Sequence, residues 1–214
     1  MTAMDRPRTI HDFGGFPDEL YEVEYPAPGS PGLARETVLT APKASIGEDR
    51  EWGLDHGCWS VLRRMYPRAD VPIVQLSLDY TKTPQEHYAL AKQLALLRRR
   101  GILIVGSGNL VHNLGRISIP SGDPDDFNAP FGLDWAIEAN ELFKKLILAD
   151  DHAALADYRA LGKAARPAVP TPEHFLPALY AVALRDEGES VAFFNDAAVA
   201  GSLTMTSFKI TGAD

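Results

Sequence analysis

The chain has 214 residues and a mass of 23.4 kDa, which is the size of one domain at roughly 150 residues per domain. Its 45% of apolar and 23% of charged residues are typical of a globular protein with a substantial core, and they exclude a disordered chain. The net charge of −8 offers no basic field to nucleic acid or to an anionic membrane, and no apolar run approaches the roughly 20 residues that cross a bilayer. No hydrophobic stretch follows the charged N-terminus, and the single cysteine, Cys58, cannot form an internal disulfide. We therefore expect a cytoplasmic protein without nucleic-acid or membrane partners.

Glycines, prolines and capping residues mark the predicted elements of the first 80 residues. Residues 12–17 hold two glycines and a proline, which is typical of a shaped loop. A short helix is predicted over 31–41. Asp55 can cap a second helix over 56–65, and the apolar run 71–78 is typical of a buried strand.

A strand, a helix and a second strand follow one another in the middle of the chain. The helix begins at Pro84 and ends at the basic run 98–101, and the apolar residues 102–105 predict the next buried strand. This order predicts a parallel crossover unit. Because the sites of such sheets lie at the carboxyl ends of the strands, residues 77–79 and 106–112 are expected at the functional edge.

The predicted fold class is α/β, with one domain over residues 1–214 and a mostly parallel central sheet flanked by helices. The remaining predicted elements are a loop over 116–132, an amphipathic helix over 133–147, a shorter helix over 151–161, and strands over 191–194 and 202–208. One more helix is predicted to be capped by Thr171, to hold Pro172 in its first turn and to run to about Arg185.

Three of the six histidines stand where a chemical role is expected. His112 follows a predicted strand and a glycine turn, where the backbone can approach a ligand closely. His174 lies in the first turn of a predicted helix, whose dipole favours the neutral ring that a metal ligand needs. His56 stands beside Asp55, a carboxylate that can orient an imidazole for proton transfer. The alternatives are a surface histidine at position 174 and an ordinary helix start at position 56.

Other residues leave the interpretation open. Four aromatic residues near these positions could contact a flat ring of a ligand, and they could equally be packed in the hydrophobic core: Phe13, Tyr25, Trp52 and Trp59. Cys58 is expected to be a small core residue rather than a nucleophile, and His152 is expected to be exposed. The residue pattern alone predicts a metal or acid–base site on an α/β domain.

Seven segments together resemble one family, the bacterial and plant DOPA 4,5-dioxygenase proteins, which are a branch of the class III extradiol ring-cleavage dioxygenases. The segments are TIHDFGGFP (9–17), YPAPG (25–29), WGLDHG (52–57), VQLS (74–77), GSGNLVHN (106–113), PTPEHFLP (170–177) and GSLTM (201–205). The resemblance covers nearly the whole chain.

The resemblance implies an enzyme that opens a catechol such as DOPA with O₂ as co-substrate and one divalent metal ion, Fe(II) or Zn(II). It implies that His174 is a metal ligand, that His112 lies at the metal as a ligand or as an acid–base group, and that His56 transfers protons or binds the substrate. The oligomeric state and the natural catechol stay open.

The chain departs from the family at its beginning, because two further histidine motifs, GHGSP and SAHW, are absent. We therefore expect an N-terminally truncated member that lacks the family's first two strands and has little or no dioxygenase activity. A non-enzymatic binding protein on the same scaffold and a zinc-dependent hydrolase are the alternatives.

Overall fold

The computed structural model describes residues 1–212 and divides the chain into two compact units. Unit 1 comprises residues 1–79 and 99–101, and unit 2 comprises residues 80–98 together with 102 onwards. The prediction of one domain over residues 1–214 stays a prediction. No helix among the described residues is long and apolar enough to cross a membrane.

Unit 1 contains three helices and one short parallel strand pair. The elements are β1 (Arg8–Thr9), α1 (Asp18–Tyr21), α2 (Pro31–Thr40), β2 (Gly53–Leu54) and α3 (His56–Met65). Strand β1 pairs in parallel with β2, and Gly29 forms a parallel bridge with Ile73.

Helices α2 and α3 begin where the sequence predicts, because each has an oxygen-bearing cap. The Ser30 hydroxyl accepts a hydrogen bond from the Leu33 amide, and the Asp55 carboxylate accepts one from the Cys58 amide at 3.0 Å. A buried cluster of Tyr25, Leu54 and Trp59 then fixes α3 to the loops of unit 1. The Tyr25 hydroxyl lies 3.2 Å and 3.0 Å from the carbonyl oxygens of residues 62 and 66 at the end of α3.

Unit 2 is mainly helical and carries two antiparallel strand pairs. Its elements are α4 (Pro84–Gln93), α5 (Ala95–Arg99, whose last residue belongs to unit 1), α6 (Asp134–Leu148), α7 (His152–Ala156), α8 (Ala165–Ala168), α9 (Leu176–Ala183), β3 (Ser190–Phe194), β4 (Ala198–Val199), β5 (Leu203–Thr204) and β6 (Ser207–Thr211). Strand β3 pairs with β6, and β4 pairs with β5. Phe175 packs on Phe143 and Tyr158 in the core of this unit.

A mostly parallel central sheet is not confirmed, and two predicted buried strands are wrong. Residues 71–78 form no strand, and among them a bridge forms at Ile73 alone. Residues 102–105 form no strand, and Leu103 and Val105 are 62% and 41% exposed. The apolar run therefore does not reflect burial between two neighbouring strands, which is the environment that this pattern normally indicates.

The helix predicted to begin at Thr171 also needs correction. The Thr171 hydroxyl donates to the Glu173 carboxylate at 2.6 Å and caps no helix. The amides of Phe175 and Leu176 both donate to the Pro172 carbonyl, which makes residues 172–176 a tight turn. Helix α9 consequently begins four residues later than its predicted first-turn proline.

Candidate active site

A glycine turn in unit 2 brings two of the predicted site histidines together. A Cβ atom added at Gly108 would lie 2.1 Å from the His174 carbonyl oxygen, and one added at Gly106 would lie 2.5 Å from the Pro177 carbonyl oxygen. The Asn109 amide donates a 2.8 Å hydrogen bond to the same His174 carbonyl. The Gly-x-Gly spacing therefore allows the turn to lie directly against the segment that carries His174.

His112 is held from both sides by backbone contacts. Its amide donates to the Ala168 carbonyl at 2.9 Å, and the residue forms an antiparallel bridge with Leu203. The preceding residue, Val111, is fully buried. The following residue, Asn113, donates from its side chain to the Pro167 carbonyl at 2.7 Å. The imidazole thus projects from a rigid segment of unit 2.

The rings of His112 and His174 are stacked face to face. Their centroids are 3.5 Å apart, and their planes differ by 8°. Burial, and next the neighbouring His174 ring, lower the pKa of His112 to about 4. The His112 ring is therefore neutral near pH 7.

His174 lies in the turn before α9, not inside the helix. His174 directly precedes Phe175, the N-terminal cap of α9, so the helix dipole acts on an imidazole outside the helix and not on one in its first turn. The position that the sequence predicted for this imidazole was one turn too far into the helix. Its proximity to His112 is nevertheless what the resemblance implies for two groups at one metal.

Two imidazole nitrogens are donors that a non-haem divalent metal accepts, and in this respect the pair fits such an ion. The described residues, however, contain no group of three His, Cys, Asp or Glu side chains placed to hold a metal. The lone pairs of two stacked imidazoles lie in nearly parallel planes, so they do not converge on one point as the rings stand. The pair thus supplies two donors of a site rather than a closed coordination sphere.

His56, in unit 1, has a carboxylate partner that the sequence did not indicate. Its Nδ1 lies 2.8 Å from Asp12 Oδ1, and its amide donates to the same oxygen at 3.0 Å. Burial alone raises the pKa of Asp12, but these hydrogen bonds from His56 outweigh it and lower that pKa below its ordinary value. The predicted partner, Asp55, instead caps α3 and accepts a hydrogen bond from Gln75.

Asp12 is 44 residues from His56 in the sequence, so no local pattern could pair them. The one available signal was the position of Asp12 inside the shaped loop 12–17, directly before Phe13. Phe13 meets the His56 ring edge-on at 5.6 Å.

The remaining predicted residues divide between a cavity and the core. Phe13 and Trp59 line an open cavity with His56, whereas Tyr25 is buried and Trp52 is 41% exposed. Cys58 packs against the core of unit 1 as expected. The expectation that His152 is exposed is wrong, because its side chain is 15% exposed and its Nδ1 lies 2.8 Å from the Tyr88 hydroxyl.

Comparison with known proteins places the chain among dioxygenases. The 4,5-DOPA dioxygenase extradiol of Escherichia coli K12 is 42% identical over 98% of this chain and 76% of its own length. The 4,5-DOPA dioxygenase extradiol of Beta vulgaris is 33% identical over 99% of this chain and 77% of its own length. The crystal structure of an uncharacterized protein from E. coli K12 superposes with a TM-score of 0.79 at 37% identity, over 97% of this chain and 78% of that one.

These matches take in nearly the whole chain and about three quarters of each relative's own length, and they do not themselves bear out the expectation of a truncated family member. They also do not favour the non-enzymatic binding protein or the zinc hydrolase. A model of the catalytic LigB subunit of aromatic ring-opening dioxygenase matches residues 1–197. The chain therefore belongs to this family of extradiol aromatic ring-opening dioxygenases.

Proposed function

We propose that this protein opens the ring of a catechol such as DOPA, using O₂ as co-substrate and one divalent metal ion, Fe(II) rather than Zn(II) for catalysis. The observation that carries the proposal is the stacked pair of His112 and His174 beside the glycine turn. Two relatives that match nearly the whole chain are named 4,5-DOPA dioxygenase extradiol, which supports DOPA or a similar catechol as substrate.

His112 and His174 are the two residues that we propose as ligands of the metal. When bound, such an ion would hold the diol oxygens of the catechol and make O₂ reactive toward the adjacent ring carbon. The glycine turn keeps the two imidazoles together, because its backbone contacts the His174 carbonyl directly.

Proton transfer is the second task in the proposed reaction. A catechol loses a proton from its diol when it reacts, and a proton must be returned before the opened product leaves. We assign this work first to His112 and then to His56. Since His56 Nδ1 faces the Asp12 carboxylate, that nitrogen carries the hydrogen and Nε2 is left to accept or release a proton.

With DOPA as substrate, ring opening would give a semialdehyde that cyclises to a product resembling betalamic acid. Such a catechol is a small, diffusible partner that needs no membrane or nucleic acid. A cytoplasmic location fits the single cysteine, which is a core residue of unit 1.

Oxygen uptake tests this function. The purified protein is mixed with L-DOPA and excess Fe(II) under air, and O₂ consumption is followed with the absorbance of the product. Because relatives named 4,5-DOPA dioxygenase extradiol match nearly the whole chain, we replace the expectation of little or no activity that the absent GHGSP and SAHW motifs suggested. We expect consumption that requires both Fe(II) and the catechol, and that falls at least about 100-fold in His56→Gln, His112→Gln and His174→Gln. His152→Gln, which alters a histidine paired with Tyr88, is the control and keeps the activity. Absence of uptake in the unaltered protein, or full activity in His174→Gln, would overturn the proposal.

A further inference from the structure

Helix α4 and the start of α7 bring a tyrosine and a histidine of unit 2 into direct contact, and neither residue has a part in the proposed ring opening. The Tyr88 hydroxyl lies 2.8 Å from His152 Nδ1, and the two ring centroids are 5.5 Å apart. The side-chain amide of Gln85, three residues before Tyr88 on α4, donates to the Ala156 carbonyl at the end of α7 at 3.0 Å. This second contact joins the two helices, so the fold holds the hydroxyl and the imidazole together.

A carboxylate faces the second nitrogen of this imidazole. Asp150 Oδ1 lies 3.3 Å from His152 Nε2, and Arg185 donates to the same oxygen at 2.7 Å. Asp150 has a φ of 54°, a left-handed conformation that is uncommon outside glycine, and its carbonyl accepts a 2.8 Å hydrogen bond from the His152 amide. The turn between α6 and α7 thus presents a fixed negative charge to the ring.

The hydrogen positions follow from these neighbours. The carboxylate favours a hydrogen on Nε2 of His152, which leaves the lone pair of Nδ1 to accept the hydroxyl proton of Tyr88. Burial lowers the pKa of His152 below its ordinary value, although the Asp150 carboxylate opposes this, so the ring is neutral near pH 7. Nε2 is buried and has no aligned hydrogen bond with another described group. A proton transferred to Nδ1 would turn the ring into an imidazolium whose Nε2–H faces the carboxylate.

Tyr88 has the surroundings of a tyrosine that gives up an electron readily. A phenol that loses an electron becomes a strong acid, so its oxidation is easiest where a base already accepts the hydroxyl proton. The ammonium group of Lys92 lies over the Tyr88 ring, 5.6 Å from its centroid, and disfavours any positive charge on the ring itself. The electron and the proton therefore leave Tyr88 together.

Exposure distinguishes this pair from a similar one in the same unit. The Tyr180 hydroxyl lies 2.9 Å from His87 Nδ1, but the two residues are only 7% and 1% exposed. Tyr88, in contrast, is only partly buried. A dissolved oxidant can therefore reach the ring of Tyr88, whereas the ring of Tyr180 is enclosed.

We propose that Tyr88 is a redox-active residue that donates one electron to a one-electron oxidant, such as a metal complex in its higher oxidation state or an organic radical. The O–H bond of Tyr88 breaks, one electron reduces the oxidant, and the proton forms a new N–H bond at His152 Nδ1. The products are a neutral tyrosyl radical, the reduced oxidant and an imidazolium beside Asp150. This activity goes beyond the proposed function, because it uses neither the divalent metal nor a residue assigned to ring opening.

Photochemical oxidation of the full 214-residue protein tests this pair. Tris(bipyridine)ruthenium(III), generated by a light flash, is the oxidant, and a nitroso spin trap marks the radical, whose position is read by peptide mass spectrometry. We expect most of the label on Tyr88, and at least about tenfold less of it in His152→Gln, which keeps a polar partner but removes the base. Tyr66→Phe is the matched control and keeps the label on Tyr88, because Tyr66 is also partly buried but belongs to unit 1.

Label on other aromatic residues with none on Tyr88, or undiminished labelling of Tyr88 in His152→Gln, would each overturn the proposal. Circular dichroism shows whether the variant is folded. Should it be unfolded, the rate of tyrosyl radical formation in the unaltered protein decides: a slower rate in D₂O than in H₂O supports coupled proton transfer, and an equal rate contradicts it. Because the mixture contains neither Fe(II) nor a catechol, its outcome is separate from that of the oxygen-uptake experiment.

Discussion

The imidazole rings of His112 and His174 lie 3.5 Å apart and within 8° of parallel, although 62 positions separate them in the chain. Stacking of this kind places the two rings in nearly parallel planes, so their nitrogen lone pairs do not converge on one point as the rings stand. The arrangement accounts for the low pKa of His112, since burial and a second imidazole both oppose a positive charge there.

The first prediction concerns metal affinity. A complete structural zinc site contributes about 10–16 kcal/mol with four ligands, so two imidazoles should contribute about half of that. This corresponds to a dissociation constant between about 1 µM and 0.2 mM. Titration of the protein with Zn(II) or Co(II) by calorimetry measures the value.

The same titration on His112→Gln or His174→Gln should show affinity reduced at least about 30-fold, because one of two donors is gone. His152→Gln should bind as the unaltered protein does. Nanomolar binding by the unaltered chain would contradict this account, since it would require a donor beyond the pair.

The second prediction concerns the glycine turn. Gly108→Ala places a Cβ atom 2.1 Å from the His174 carbonyl oxygen, so backbone must move. We expect the free energy of unfolding to fall by about 1–3 kcal/mol and the metal affinity of the histidine pair to fall with it. Urea denaturation and the calorimetric titration measure the two effects.

Gly47→Ala is the control for this substitution, because an added Cβ at Gly47 has no atom within 4 Å. It should leave both quantities within about 0.5 kcal/mol. A Gly108→Ala protein with unchanged stability and metal binding would show that the close approach is not needed to hold His174.

Helices α2, α3 and α6 could be predicted because their signals are local. Ser30 and Asp55 accept hydrogen bonds from the first turns of α2 and α3, and a capping oxygen needs a partner only two or three residues away. The predicted amphipathic helix over 133–147 likewise matches α6 within one residue at each end. An apolar repeat of helical period that extends over fifteen residues predicts a helix without reference to distant segments.

The strands and the partners of the site residues depend on distant neighbours. Residues 102–105 are apolar enough for a buried strand, yet a strand requires a second segment beside it, and the local sequence does not reveal whether one is present. The Asp12–His56 pair spans 44 residues. Local position and the family resemblance both singled out His56, His112 and His174, but neither predicted the stacking of the last two or the carboxylate beside the first.

The third prediction concerns the single cysteine. Burial, and next the neighbouring Asp55 carboxylate, raise the pKa of Cys58 to about 12, so the reactive thiolate is scarce near pH 8. We expect native protein to react with a disulfide reagent such as DTNB at least about 100-fold more slowly than the same protein in guanidinium chloride. The rate of thiolate release at 412 nm measures both. Rapid modification of the folded protein would contradict the placement of this thiol in the core of unit 1.

The fourth prediction concerns the pH dependence of stability and rests on Glu189. Its carboxylate accepts hydrogen bonds from both terminal nitrogens of Arg98, at 2.7 Å and 2.5 Å, and from the Asp186 amide at 2.7 Å. The hydrogen bonds from Arg98 lower the pKa of Glu189 below its ordinary value of 4.5, although burial opposes this. Between the folded and the unfolded pKa the unfolded chain binds more protons, so stability rises with pH. The contribution is therefore present above about pH 4.5 and is lost as the pH falls through the lower, folded pKa.

Glu189→Gln removes this dependence. At pH 7 we expect the variant to be less stable by on the order of 1 kcal/mol, a modest value because the Arg98 side chain is 27% exposed and solvent screens the pair. Urea denaturation between pH 7 and pH 3 should then show the two proteins converging in stability as the pH falls below 4.5. Glu138→Gln, at an exposed position on α6, should follow the unaltered protein at every pH. A stability difference between Glu189→Gln and the unaltered protein that stays constant down to pH 3 would show that Glu189 does not gain its stability from the ionised pair.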